Sequence, residues 1–235
     1  MFRAVSLDVG GVLVTPDHGI VARQLDRHGV TFDRGRFFAG HYLGMAEVER
    51  ARSEPEVFGD YNRGFLQAVG VPGPQMDVAA SAMDVIMGLP LWTQRIPGAL
   101  DAARTLARLG FRLALTSNAD GTVEDLLRRH EIAQIGPGPG VEVELVTDSG
   151  VLGAHKPDPR MFHATAAGLG LPPDQVCHIG DSGDFDADGA LAVGMVAVHI
   201  DPLDICAADH DHVPSLAAFA RRLEGRHPEA AEAIS

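Results

Sequence analysis

From about residue 92 onward, short apolar runs of β character alternate with amphipathic segments of helical period. That alternation restricts the chain to a parallel α/β sheet flanked by helices. At the N-terminus "AVSLDV" reads as a first strand. "PGALDAARTLARLG" has helical periodicity and ends on Gly110, a residue suited to the left-handed position that closes a helix. "FRLALTSN" is strand-like, "TVEDLLRRHEI" helical, "VEVELV" strand-like, "PRMFHATAAGLG" helical, and "DQVCHIGDS" a strand running into a turn. "DGALAVG" as helix, "MVAVHI" as strand and "SLAAFARRLEG" as a closing helix complete the pattern, and the "GPGPG" run at 136–140 reads as a surface loop.

One region breaks the alternation. Between Pro16 and Leu91 the patterns are helical ("IVARQLDRHG", "MAEVERARSEPEVFGDYNRGFLQAVG", "MDVAASAMDVIMG") with no convincing strand pair. This predicts a helical insertion at 16–91 within a core built from 1–15 and 92–235. The 235 residues, 46% of them hydrophobic, suffice for such a core and insert.

The formal charge of −13 argues against nucleic acid or an anionic membrane as partner. A small anionic substrate is compatible with it, because charges beyond ~8 Å are screened at physiological salt, provided its site is locally positive. Arg3 and Asp8 interrupt the N-terminus before a signal-peptide core of useful length forms. The longest nearly uncharged apolar stretch, Gly189 to Ile200, is too short to span a bilayer. Cys177 and Cys206 give no disulfide framework and fit a reducing cytoplasm, Cys177 as a core residue. A cytoplasmic protein is therefore expected.

In an open parallel sheet, ligands bind outside the carboxyl ends of the strands. Asp8, Ser117 with Asn118, and Asp181 all fall at or just past such ends, and Lys156 lies in the loop "GAHKPDP" before a helix whose start is marked by Pro157 and Pro159. The cluster "GDSGDFDADG" packs Asp181, Asp184, Asp186 and Asp188 together. Oxygen-only ligands of this kind suit a hard cation such as Mg²⁺, and a solvated acidic turn is the equal alternative. Asp184 and Asp188 are ordinary surface candidates under either reading. Lys156 is the single lysine beside eighteen arginines. Its retention points to a place where a compact ammonium fits and a planar fork does not, such as between a carboxylate and a phosphoryl oxygen.

These segments, in this order, resemble the haloacid dehalogenase superfamily of hydrolases. "SLDVGGVL" is similar to its first motif, "LALTSN" to its second, "GAHKPDP" to its third and "HIGDSGDFDADGA" to its fourth. The insertion at 16–91 resembles the family's small helical cap. The resemblance implies a Rossmann-like parallel sheet, a cap that closes over the site to exclude water and select substrate, and Mg²⁺-dependent hydrolysis of a small phosphorylated metabolite. It implies Asp8 as nucleophile and metal ligand, with Asp181 and the backbone carbonyl of Gly10 as further ligands. Asp186 would be an additional or outer-shell ligand. Ser117, Asn118 and Lys156 would hold the phosphoryl group.

Position 10 departs from the family pattern. Phosphatases of this family usually carry a second Asp there as general acid and base, and Gly10 offers no proton. Three outcomes follow: a substrate with a good leaving group, such as an anomeric sugar phosphate or acyl phosphate; a substitute acid, with His18 and His155 as candidates; or a slow or purely ligand-binding protein. A 2-haloacid dehalogenase is the rival enzyme, although family dehalogenases usually have an aromatic residue at this place and lose the metal motif. "ADHDHVP", with His210 and His212, is expected to be a solvated loop in preference to a transition-metal site. Trp92 is expected to pack, and Arg34, Arg36, Arg50, Arg52 and Arg63 to form a charged helix face, with a substrate-binding residue among them as the alternative.

Overall fold

Strands that are apolar on both faces are stable only when both faces are covered, and the runs "AVSL" and "VCHIG" are buried at every position. The computed structural model describes residues 2–52 and 58–225. Its strands, in chain order, are β1 (Ala4–Leu7), β2 (Val14–Thr15), β3 (Gln94–Arg95), β4 (Arg112–Ser117), β5 (Ala133–Ile135), β6 (Val141–Val143), β7 (Leu145–Asp148), β8 (Val176–Gly180), β9 (Val196–Ile200) and β10 (Asp211–Val213). Its helices are α1 (His18–Arg27), α2 (Phe37–Ala51), α3 (Phe58–Ala68), α4 (Met76–Asp84), α5 (Ala99–Arg108), α6 (Val123–Arg129), α7 (Ser149–Leu152), α8 (Pro159–Gly168), α9 (Gly189–Ala192) and α10 (Leu216–Glu224). The chain divides into two compact units, Met1–Leu13 with Arg95–Ser235, and Val14–Gln94.

The larger unit is built on a six-stranded sheet in the order β10-β9-β8-β1-β4-β7, parallel at every pairing. This is the doubly wound α/β architecture of a Rossmann-like fold. Leu7 pairs with Leu115 on one side and Ile179 on the other, so the carboxyl ends of β1, β4 and β8 fall within two residues of one another. One face of the sheet packs Ala4, Ala114, Val176 and Ala197 against Met161, Phe162 and Ala166 of α8 and Ala190 of α9. Near the other flank, Phe2 stacks between Phe111 and Phe219, with ring centroids 5.2 and 6.4 Å away.

Local signals place several boundaries. Helix α5 ends before Gly110, which sits at φ 89° as a left-handed terminator. Helix α8 starts at Pro159, with the Asp158 carboxylate accepting from Arg160 N at 2.9 Å. Three expectations need correction. "VEVELV" is two strands, divided at Glu144, whose carboxylate pairs with Arg112. The helix read over "DGALAVG" is the short α9, preceded by a π-helical turn over Gly183–Asp188. "ADHDHVP" is not a solvated loop: Asp211–Val213 is a sixth parallel strand, its His212 registered against His199 of β9. A three-residue strand draws its stability from its neighbour, which no local pattern encodes.

The smaller unit contains α1 to α4. Residues 53–57 of the helical pattern lie outside the described residues. Tyr61, Phe65 and Phe37 are buried at its centre, and His41 Nδ1 lies 3.0 Å from Tyr61 Oη. Trp92 packs on His41 and Tyr61, with centroids 5.6 and 5.9 Å away. Arg34 and Arg50 are exposed and paired with Asp26 and Glu47, as expected of a charged surface. Helices α2 and α3 approach closely because glycines face the contact. A Cβ on Gly64 would lie 2.7 Å from Glu47 Cβ and 3.0 Å from the Leu43 carbonyl. Gly64→Val is therefore expected to destabilise the protein by about 1–3 kcal/mol through overpacking. Gly59→Ala, on the same helix but with open space at its Cβ, should be neutral or slightly stabilising. Thermal unfolding of the two variants checks the contrast.

Candidate active site

The carboxyl ends of β1, β4 and β8 bring the sequence-predicted residues to one edge. Asp8 directly follows β1, and its amide continues the ladder by donating to the Ile179 carbonyl at 2.8 Å. Ser117 ends β4, and Asp181 directly follows β8. All three side chains are buried, with exposures of 8, 6 and 7%. Gly10 lies half-buried in the turn after β1. Carboxylate oxygens of Asp8, Asp181 and Asp186 lie within 4.8 Å of one another.

Lys156 enters this cluster from the loop before α8. Its Nζ lies 2.8 Å from Asp8 Oδ1 and 2.6 Å from Asp186 Oδ1, and the side chain is almost fully buried. Asn118 fixes the loop: its Oδ1 accepts from Lys156 N at 2.7 Å, and its Nδ2 donates to the Lys156 carbonyl at 3.1 Å. Both ends of the Asn118 amide are thus spent on positioning the lysine.

Two glycines make room for the acids. A Cβ on Gly180 would lie 2.0 Å from Asp186 Cγ, and one on Gly11 would lie 2.0 Å from Asp181 Oδ2. Gly11 also sits at φ 64°, where other residues are strained.

Asp186 is held by three donors. Its Oδ1 takes Lys156 Nζ and His178 Nε2 (2.9 Å), and its Oδ2 takes Ser182 N (3.2 Å). His178 begins a buried polar chain across the sheet: His178 Nδ1 to Ser6 Oγ is 3.1 Å and Ser6 Oγ to Thr116 Oγ1 is 2.7 Å. Thr116 Oγ1 lies 2.7 Å from Thr165 Oγ1, which is 2.8 Å from Thr147 Oγ1. Burial lowers the pKa of His178 against the pull of Asp186. A carboxylate only accepts, so Nε2 carries a proton; with the ring neutral, Ser6 donates to Nδ1 and Thr116 donates to Ser6. Sequence reasoning missed this chain. Its one signal is that Ser6, Thr116 and His178 are polar inside otherwise apolar buried strands.

The charges do not balance within the protein. Burial pushes the Asp8 carboxyl up to about 7, against the pull of Lys156 and with the repulsion of Asp186 and Asp181. Burial also works against the charge on Lys156, but Asp186 and Asp8 outweigh it and raise its pKa. For Asp186 the burial penalty is overcome by Lys156 and the His178 hydrogen bond, which hold the carboxyl well below the usual range. Three carboxyl groups facing one ammonium leave the site short of positive charge, where the sequence reading called for a positive one. Three buried oxygen-ligand side chains lacking counter-charge fit a divalent hard cation.

The remaining candidates have these surroundings. His18 packs edge-on to Phe37 and Phe38 (5.1 and 4.6 Å), and burial lowers its pKa. His155 is half-buried next to Lys156, and Asp184 and Asp188 are exposed. Cys177 is fully buried in the core, which raises its thiol pKa.

Removing the lysine should expose how much the acids depend on it. Lys156→Met leaves Asp8 and Asp186 without their buried counter-charge and is expected to cost about 3–5 kcal/mol. Ser6→Ala strands His178 Nδ1 and Thr116 for about 1–3 kcal/mol. Urea unfolding of both variants measures the two losses.

A family model for haloacid dehalogenase-like hydrolases matches residues 2–194. The haloacid dehalogenase-like hydrolase domain-containing protein 3 of Bos taurus is 35% identical over 142 residues, which is 57% of this chain and 54% of that protein. Its Mus musculus counterpart is matched over 57% of its length, so the chain spans little more than half of these curated relatives. The glyceraldehyde 3-phosphate phosphatase of Methanopyrus kandleri is 27% identical over 209 residues, covering 85% of this chain and 84% of that one. Among solved structures, the magnesium-bound HAD-hydrolase YfnB of Bacillus subtilis matches with a TM-score of 0.62 at 15% identity, over 94% of this chain and 98% of its own. The L-2-haloacid dehalogenase of Xanthobacter autotrophicus matches at 0.59 and 16% identity, over 96% and 99%. At those identities the structural matches speak for the fold alone. With the family model spanning most of its length, the chain belongs to the haloacid dehalogenase-like hydrolases.

Proposed function

We propose that the protein is a Mg²⁺-dependent phosphatase that hydrolyses a small phosphomonoester through a phospho-aspartate on Asp8. The observation that carries this reading is the convergence of Asp8, Asp181, Asp186 and Lys156 on one sheet edge. The phosphatase name of the M. kandleri relative supports it. A buried carboxylate triad is surplus to an attack on carbon, which weighs against dehalogenation of a 2-haloacid.

Asp8, Asp181 and the Gly10 carbonyl would hold the ion, with Asp186 as an outer partner already committed to Lys156 and His178. When bound, Mg²⁺ supplies charge neutralisation that lets an anionic carboxylate approach an anionic phosphoryl group. Asp8 Oδ1 faces Lys156, which leaves the second oxygen to attack phosphorus. The bond to the leaving oxygen breaks with its electron pair, and the phosphoryl group rests on Asp8 as an acyl phosphate. Water then attacks phosphorus, the Asp8–phosphorus bond breaks, and inorganic phosphate and the free carboxylate return. Lys156 has three N–H donors, of which two meet Asp8 and Asp186. The third would bind a phosphoryl oxygen, with the Ser117 hydroxyl and the backbone N–H of Asn118 beside it. No side chain at position 10 delivers a proton, so the substrate class we assign is one with a good leaving group, an acyl phosphate or anomeric sugar phosphate.

A phosphate-release assay on acyl, sugar and aryl phosphates, with a halide-release assay on 2-haloacids alongside, tests this assignment. Phosphate release is expected with Mg²⁺, abolished by EDTA and by Asp8→Asn. Turnover that persists in EDTA, or halide release in its place, would overturn it. Lys156→Arg is expected to lower kcat by about 10²–10³, the scale of a lost transition-state donor. Gly10→Asp introduces the missing acid and should raise turnover of poor leaving groups by about 10²–10⁴ while changing activated esters little. The dependence of kcat on leaving-group pKa reads this out.

A further inference from the structure

We infer that the chain carries a second metal centre, a closed four-coordinate zinc site formed by His199, Cys206, His210 and His212. The four residues each bring one donor atom within 4.8 Å of the others. They come from β9, the loop after it and β10, and all belong to the larger unit. The site is distinct from the acid cluster, shares no ligand with it, and stands whether or not the phosphatase assignment holds.

The geometry is that of a cradle around a point. His199 Nδ1 lies 3.0 Å from His210 Nε2, and Cys206 Sγ lies 3.7 Å from the same nitrogen. The imidazole centroids are 5.1, 5.2 and 4.4 Å apart for His199–His210, His199–His212 and His210–His212. Zinc–nitrogen bonds of about 2.05 Å and zinc–sulfur bonds of about 2.3 Å at tetrahedral angles require N···N edges of roughly 3.3 Å and N···S edges of roughly 3.6 Å. The His199–His210 and Cys206–His210 separations lie within a few tenths of an ångström of those edges, and the remaining donor pairs lie within 4.8 Å.

Two further observations point to a ligand. His212 Nε2 is buried without a hydrogen-bond partner, a costly state for a polar atom unless something binds it. His199 Nε2 lies 3.1 Å from the Asp181 carbonyl. A carbonyl only accepts, so that nitrogen carries the ring proton and Nδ1 is left with its lone pair directed at His210. An imidazole with one nitrogen donating to a backbone carbonyl and the other facing a shared centre has the outer-shell arrangement of a metal-binding histidine.

The placement of Cys206 is itself supported. The Asp201 carboxylate accepts from both Ile205 N and Cys206 N at 2.8 Å, which folds the loop back so that the thiol faces the histidines. Three nitrogens and a sulfur exclude Mg²⁺, which takes oxygen, and suit a borderline-soft ion. Four protein ligands with no open position make a structural centre. Zinc takes Cys206 as the thiolate, so binding would release the thiol proton to solvent, and His210 would carry its ring proton on Nδ1 to present Nε2. The ion would tie β10 to β9 and, through His199, hold the backbone at Asp181.

The test uses the full chain, stripped with chelator, in the Asp8→Asn background so that the acid cluster contributes little. Zinc alone is added, with content measured by mass spectrometry and affinity by a competing chromophoric chelator. One zinc per chain is expected, undisplaced by millimolar Mg²⁺, together with a rise in Tm. Loss of an outer-shell partner costs about 10–100-fold in affinity, so Cys206→Ser and His212→Ala are each expected to weaken binding by more than about 100-fold. Cobalt substitution should give a thiolate charge-transfer band that Cys206→Ser removes. Cys206→Ser is near-isosteric and half-exposed, so it keeps the test usable if His212→Ala fails to fold. Absence of bound zinc, zinc held equally well by Cys206→Ser, or a cobalt spectrum without the thiolate band would each overturn the inference.

Discussion

A single buried ammonium organises the acid cluster at the sheet edge of this protein. Lys156 lies almost out of contact with water between Asp8 and Asp186, and none of the three charges would be stable there alone. The cost of desolvating a charge is several kcal/mol, so each is tolerable only because the others are held at hydrogen-bond distance. Asn118 clamps the lysine's backbone, His178 and Ser182 complete the shell of Asp186, and Gly11 and Gly180 leave the space the acids occupy. The arrangement is still short of positive charge. That deficit is the physical reason a divalent cation belongs in the reading of the site.

The scaffold supplies the rigidity this requires. Asp8, Ser117 and Asp181 sit at the carboxyl ends of three adjacent strands, so their relative positions are set by ladder hydrogen bonds instead of by loops. The chain of hydroxyls from Ser6 through Thr116 and Thr165 to Thr147 carries polar satisfaction from the site into the sheet. In a low-dielectric interior such a chain stabilises when complete and is costly when broken. It therefore also specifies the register of β1, β4, β7 and β8.

Two donor sets of different hardness lie close together in the same unit. The oxygen set lies after β1 and β8 and the nitrogen–sulfur set runs from β9 to β10, and the His199 hydrogen bond to the Asp181 carbonyl joins them. Ligand chemistry sorts the ions: Mg²⁺ has no use for imidazole and thiolate, and zinc is better satisfied by them than by carboxylates. A zinc ion held there would stiffen the backbone at Asp181 without entering the acid cluster.

Much of this was legible in the chain. The alternation of strand and helix patterns determined a parallel sheet, its order of elements put Asp8, Ser117 and Asp181 at strand ends, and the solitary Lys156 marked a place for a point charge. These features are local or periodic, and each residue's role follows from its own neighbours in sequence. Tertiary structure alone decided the rest. Asn118 turned out to hold Lys156, His178 to hold Asp186, and His199 and Cys206 to join His210 and His212, which sequence reading had left in a solvated loop. Such partners lie many residues apart and meet only because strand register brings them side by side, and register is a property of the assembled sheet.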